Sequence, residues 1–275
     1  MTAPEPTGEA PERAGDRGLP GAPPPPRPPA RPVTWQKLTF LPAVLVGVLL
    51  VTWLWFRRAD LDPVSRSVLA GGQVSGALWR HVGLTVVSTL LVLAVAVPLG
   101  VLLTRGAFRG AAPAVAAPGG TGRVVPAIGL LALVAVWLGG GRRAALIGIV
   151  AYAVPPVLSH VVAGLNAGDP AAAEAARRLG MSSWDVLVRV ELPPAVPLIL
   201  AGVRTALVLN VGTATLAAFA GGGGLGVLIA TGVAGRRMPV LVLGSVLTVV
   251  LALLVDWLAS LAELLLRPRD PEADG

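Results

Sequence analysis

The chain has no cysteine, which excludes disulfides, thiolate nucleophiles and cysteine-ligated zinc or iron–sulfur centres. Charge is scarce too: 13% of the 275 residues are Asp, Glu, Lys or Arg, against about 25% in soluble globular chains. With 54% apolar side chains and a mean hydropathy of +0.75, a water-soluble globule is excluded. Only Lys37 among the 22 basic residues is a lysine, a compositional bias that carries no functional weight. The net charge of +7 does not mark a nucleic-acid binder, because the arginines sit between apolar runs and never gather into one patch. His81 and His160 lack carboxylates at metal-ligand spacing, so they read as packed or interfacial side chains and no metal site is expected. Ser159 and His160 are not a catalytic pair, since neighbours on a helix point about 100° apart. No nucleophile–base arrangement stands out, so no catalytic residue is expected and the chain does not read as an enzyme.

What is present is a series of long apolar runs. Residues 1–34 are proline-rich and carry mixed charge with little to bury, which predicts a disordered cytoplasmic tail. The run 38–56 is of spanning length and ends in Trp-Leu-Trp-Phe-Arg-Arg. It predicts an uncleaved N-terminal anchor over 35–58, with Trp53 and Trp55 at an interface. Five further spans are expected near 83–104, 122–139, 144–163, 195–218 and 239–262. The total is about six membrane helices of about 20 residues each, with a short tail at 266–275. The third is short in apolar core and contains Pro126, so it is expected to be tilted or enclosed by its neighbours. With the amino terminus inside, thirteen Lys and Arg fall on inner segments and eight on outer ones. That balance favours a multi-pass chain with both termini cytoplasmic.

The longest internal polar stretch is 166–194. Asp169 can cap a helix that starts at Pro170, runs through Leu179 and stops at Gly180. Glu174 stands three and four residues before Arg177 and Arg178, the spacing of weak surface ion pairs. Ser182 and Asp185 have capping-box spacing for a second helix to about Glu191, which Leu192-Pro193-Pro194 is expected to end. The face formed by Ala172, Ala173, Ala175 and Ala176 has two readings: an ordinary alanine-rich surface helix, or a smooth face on which another protein can approach the backbone.

The segment Glu174-Ala175-Ala176, three residues, Gly180, nine residues, then Val190-Glu191-Leu192-Pro193 resembles the EAA loop of ABC-importer permease subunits. Val190 stands where that pattern usually has isoleucine. Ala201-Gly202-Val203-Arg204-Thr205-Ala206, the stretch from Gly212 to Phe219 and the glycines of 221–226 resemble the permeases that import glycine betaine, choline and carnitine. The similarity runs over about 75–262. At the start of the second core helix such proteins tend to carry Gln-Thr-x-Pro-Ser, where this chain has Arg123-Val124-Val125-Pro126-Ala127, a difference that bears on the substrate.

The resemblance implies an all-α membrane protein with the type I ABC-importer permease fold, a permease core at 75–265 following one N-terminal helix, in a bacterial plasma membrane. It implies that the loop is cytoplasmic and that Glu174, Ala175, Ala176, Gly180, Leu192 and Pro193 couple to an ATP-binding subunit. Its further implied partners are a second permease copy or paralogue, the membrane lipid and an extracytoplasmic substrate-binding protein, with no nucleic acid. ATP and magnesium would be held by the partner subunit, and this chain would bind no cofactor. Alternatives are a permease for another small solute such as methionine, or an ATPase-independent channel or structural membrane protein.

Gly221-Gly222-Gly223-Gly224-Leu225-Gly226 contains a GxGxxG string but follows an apolar run and lacks an acidic residue about 20 positions on, so it is not a dinucleotide loop. Val227-Leu228 occupy the places where a phosphate-binding loop needs Lys and Ser or Thr. The glycines therefore read as a sharp backbone re-entry, which the resemblance puts near an outer gate. Arg204 and Asp256 lie inside apolar runs, where a lone charge costs several kcal/mol, so each is a functional candidate; the competing account is that Arg204 snorkels to the cytoplasmic headgroups and Asp256 finds a structural partner such as a helix terminus or a basic residue near the inner leaflet. Arg204, Asn210, Thr213 and Thr215 are the candidates for the translocation path, and Gly212 and Ala214 suit close helix packing at a subunit boundary. One tyrosine, and tryptophans mostly near interfaces, provide no aromatic cage for a quaternary ammonium group. High-affinity recognition is thereby assigned to the separate binding protein.

Overall fold

The structure, a computed structural model, describes residues 35–58, 61–69, 72–105 and 126–266. The expectations for the tail 1–34, for Arg109, for residues 123–125 and for the end beyond 266 lie outside the described residues. Every described element is helical. In chain order they are α1 (Trp35–Arg58), α2 (Pro63–Leu69), α3 (Gln73–Leu103), α4 (Ala127–Leu138), α5 (Arg142–Leu165), α6 (Pro170–Arg178), α7 (Ser183–Val186), α8 (Leu192–Leu216), α9 (Gly226–Ala234) and α10 (Met238–Leu266).

Five described helical stretches are long and apolar enough to cross a membrane: Phe40–Arg58, Gln73–Leu103, Arg142–Leu165, Ser183–Ala220 and Met238–Leu266. α3 begins almost three turns, at about 3.6 residues per turn, before the apolar run that predicted it, because Gln73, Ser75, Arg80 and His81 are helical without being apolar. Its 31 residues make a rod about 46 Å long at about 1.5 Å per residue. α4 is shorter than expected, 12 residues, or about 18 Å against a hydrocarbon thickness of about 30 Å. Pro126 precedes α4 as its N-cap in extended backbone, so it ends the element instead of kinking it.

The second loop helix does not stop at Leu192-Pro193-Pro194. α7 passes through a π-helical turn, Leu187–Glu191, straight into α8. The Leu192 N–H donates five residues back to the Leu187 carbonyl. Pro193 and Pro194 then occupy the first turn of α8, where a missing N–H is harmless.

α5 lies at the centre, against α3, α4 and α8. Val92 and Ala96 of α3, Val157 and Val162 of α5 and Ala206 of α8 form one buried cluster. Leu84, Leu131, Ile149, Ala214 and Ala217 form a second, joining α3, α4, α5 and α8. Small side chains dominate these contacts, as they must where lipid offers helices no hydrophobic reason to associate and close packing alone holds them. α10 covers α8 and α9 and also contacts α1. Larger residues such as Leu90, Leu102, Val249 and Leu258 face outward, as lipid-facing residues do.

Candidate functional site

The loop between α5 and α8 is built by local signals. Asp169 Oδ1 accepts from the Ala171 N–H at 2.9 Å, and Pro170 fills the first turn of α6. At the other end the Met181 N–H donates to the Ala176 carbonyl at 3.2 Å and the Gly180 N–H to the Arg177 carbonyl at 3.0 Å. These are the paired bonds of a Schellman stop, which requires Gly180 at φ +86°. The Asp185 N–H donates to Ser182 Oγ at 3.1 Å, while the Asp185 carboxylate accepts from the same hydroxyl, so only half of a reciprocal capping box forms.

The alanine face divides in two. Ala173 and Ala176 are buried against Val186, with Met181 and Val190 beside them. Ala172, Glu174 and Ala175 stay exposed. The smooth exposed face is therefore Ala172 and Ala175, and Ala176 serves to seat α6 on α7. Leu179 and Trp184, at 85% and 71% exposure, add two large apolar side chains to this otherwise polar end of the molecule. Of the expected pairs, Glu174 takes Arg178 on the exposed helix surface.

Arg177 turns instead to Glu191. The Glu191 carboxylate, 15% exposed, accepts from Arg105 through both oxygens at 3.3 and 2.6 Å and from Arg177 at 3.1 Å. This triad was missed in the sequence. Glu191 stood inside the quoted Val190-Glu191-Leu192-Pro193 segment, but its partner Arg105 is 86 positions away and counted there only as a topology charge. Leu192 and Pro193 open α8 directly after it.

Within the bundle, Arg204 of α8 meets Asp256 of α10 in a two-bond pair, Nε to Oδ1 at 2.6 Å and Nη2 to Oδ2 at 2.9 Å, with Glu263 at 3.8 Å. The two isolated charges of the sequence are thus each other's partner. Asn210 and Thr213 are buried within the chain. The Asn210 amide donates to Thr89 Oγ1 of α3 at 2.9 Å, and the Thr213 hydroxyl donates to the Leu209 carbonyl. Thr215 is half-buried, and Gly212 lies on the open side of α8 with space around it. Ala201, Thr205, Val208, Gly212, Thr215 and Phe219, spaced three and four apart, share that open side.

The glycine-rich segment does re-enter, leading from a 3-10 turn, Ala217–Ala220, into α9. His81 of α3 holds it in place. The Leu225 N–H donates to Nδ1 at 3.3 Å, so Nε2 carries the proton and donates to the Val211 carbonyl of α8 at 3.2 Å. Gly224, at φ +80°, lies so close that an added Cβ would sit 2.9 Å from Nδ1. His81 is fully buried. Replacing it by alanine is expected to strand two backbone groups and open a void, lowering stability by about 1–3 kcal/mol. A drop in the detergent melting temperature checks this, and an unchanged value refutes it. Among the described residues no group of three His, Asp or Glu side chains is placed to hold a metal ion.

The described residues thus form a helical membrane bundle with a paired-helix loop between α5 and α8. Residues 120–267 match the family described as binding-protein-dependent transport system inner membrane component. The glycine betaine/carnitine/choline transport system permease protein OpuCB of Bacillus subtilis is 32% identical over 72% of this chain and 91% of its own length. The osmoprotectant import permease protein OsmY of Salmonella typhimurium is 37% identical over 65% of this chain and 76% of its own length. Among solved structures, an inward-facing MetNI methionine ABC transporter superposes with a TM-score of 0.61 at 24% identity, covering 71% of this chain and 96% of that one. The chain belongs to the binding-protein-dependent transport system inner membrane components, the permease subunits of ABC importers. Its fold is that of the type I importer permeases.

Proposed function

We propose that this permease carries a small osmoprotectant, a quaternary ammonium solute such as glycine betaine, choline or carnitine, across the plasma membrane. The observation that carries the reading is the identity of 30–37% with curated permeases named for osmoprotectants, carnitine or choline. In this reading the 166–194 loop and both termini are cytoplasmic. The exposed side of α6, with Glu174, Ala175 and the turn at Gly180, docks on an ATP-hydrolysing subunit. Ala176, Leu192 and Pro193 fix that surface to α7 and α8. A second permease copy or paralogue faces the open side of α8, where Thr215 and Gly212 border the path. Asn210 and Thr213 shape its wall from behind, and Arg204 is held at its edge by Asp256. A separate extracytoplasmic protein selects the solute, and ATP and magnesium stay on the partner subunit.

Uptake of labelled glycine betaine into cells expressing the complete transporter tests the solute. Unlabelled choline or carnitine is expected to compete, and methionine is not. Competition by methionine alone overturns the assignment. Because the chain has no cysteine of its own, a single cysteine at the exposed Ala175 reports sidedness. Labelling of intact cells by an impermeant reagent would reverse the topology.

A further inference from the structure

Among the described residues the loop helix α6 is tied to its neighbours in two ways. One is apolar and local: Ala173 and Ala176 rest on Val186, so α6 and α7 form one body. The other is ionic and long-range. Glu191 closes the π-helical turn at the root of α8, and its carboxylate is shared by Arg177 of α6 and by Arg105, which follows the end of α3. Three separately built elements therefore meet on one side chain. π-helical turns inside longer helices occur frequently at functional positions, because the extra residue reorients the side chains around it.

The pairing is asymmetric. Arg105 makes two parallel bonds, a geometry that fixes orientation as well as distance, while Arg177 makes one and is half-exposed. With 15% of its side chain exposed, Glu191 is screened far less than the exposed Glu174–Arg178 pair, whose side chains are 61% and 79% exposed. Without the carboxylate, two guanidinium groups would face each other with nothing between them. α3 matters because its opposite end carries His81, the side chain that holds the glycine-rich segment to α8. From His81 to Leu103, where α3 ends two residues before Arg105, the helix runs 22 positions, about 33 Å at about 1.5 Å per residue.

We propose that Glu191 is a positioning residue for energy coupling: through Arg105 and Arg177 it makes the loop helix, the root of α8 and the end of α3 move together. This rests on the reading of the loop as the docking surface for an ATP-hydrolysing subunit. It goes beyond that reading in naming the joint that passes the movement on.

The test uses the complete transporter in proteoliposomes, with glycine betaine as solute, and compares uptake with ATP hydrolysis. Glu191→Gln keeps shape and loses charge. It is expected to assemble and hydrolyse ATP while uptake per ATP falls about fivefold or more, the scale of an ordinary coupling free energy. Glu191→Asp is expected to recover part of the ratio. Arg105→Gln, which leaves Glu191 paired to Arg177, is expected to lower the ratio as well, and it stands in should Glu191→Gln fail to fold. A merely structural role would lower yield and melting temperature and leave uptake per ATP unchanged. That outcome in every variant that assembles overturns the proposal. A wild-type complex that neither hydrolyses ATP nor takes up solute overturns the underlying reading instead, so the two failures are distinct.

Discussion

Asp256→Leu is expected to cost most of the folded protein, and adding Arg204→Leu to it is expected to restore a large part. Arginine keeps its proton in any protein environment, so removing Asp256 leaves a cation in an apolar helix layer with Glu263, at 3.8 Å, as its remaining ion-pair partner among the described residues. Breaking one side of a buried ion pair costs about 3–5 kcal/mol. With both side chains about a third exposed in the single chain, 38% and 33%, the lower end of that range applies. Arg204→Leu alone takes the larger charged group out of the apolar layer, so it is expected to be the milder single change. In the double variant leucines meet across α8 and α10. The order of melting temperatures, checked in detergent by fluorescence-detected size exclusion after heating, is then Asp256→Leu lowest, Arg204→Leu next and the double variant highest. A double variant no better than Asp256→Leu would show that the pair does more than neutralise itself. A double variant that folds and fails to transport would return Arg204 to the path.

That pair illustrates how far the sequence could be read. Each charge was visible as an anomaly in its apolar run, but a structural partner was expected for Asp256 alone and Arg204 was expected to reach the headgroups, because nothing in the spacing links positions 52 apart. The same holds for Arg105 and Glu191. Contacts of this kind depend on which helices lie side by side, and helix adjacency is set by the packing of Ala96, Ala153, Ala206 and Ala214, residues with no pattern that names their neighbours. Local chemistry was far more legible. Asp169-Pro170 and Gly180 bound α6 where capping and the left-handed stop require, because those bonds close within five residues.

The misread positions have physical causes as well. Hydropathy placed the start of α3 late, since Arg80 and His81 break the apolar run without breaking the helix, and His81 finds its partners in Leu225 and Val211. Pro193-Pro194 suggested an end, but proline at the first turn of a helix is compatible with a helix that continues from a π-helical turn. α9 was invisible because nine residues after a glycine cluster are too few to show a period. The alanine face of α6 did not show which of its members packs inward: one side of a two-helix loop must face its own partner, and Ala173 and Ala176 are the two that do.

Glu174→Arg and Gly180→Trp are expected to abolish most uptake by different routes, and comparing them isolates the docking surface. Among the described residues Glu174 pairs with Arg178 alone, and both are exposed, so the pair contributes at most about 1 kcal/mol to folding. Reversing the charge at 174 leaves the caps of α6 untouched. A loss of uptake of about tenfold or more, which corresponds to about 1.4 kcal/mol of lost interaction, must then arise at a surface outside this chain. Gly180 differs because its backbone sits at φ +86° with open space where a Cβ would go. Any L side chain there bears about 1–2 kcal/mol of strain, and asparagine tolerates that region best. Uptake is expected to fall in the order Gly180→Asn, Gly180→Ala, Gly180→Trp, with alanine reporting strain and tryptophan adding bulk on the exposed turn. Co-purification of the ATP-hydrolysing subunit, measured beside uptake and melting temperature, separates the two effects. If Glu174→Arg retains both its partner and its uptake at normal expression, the exposed side of α6 does not dock, and the energy must enter the membrane helices elsewhere.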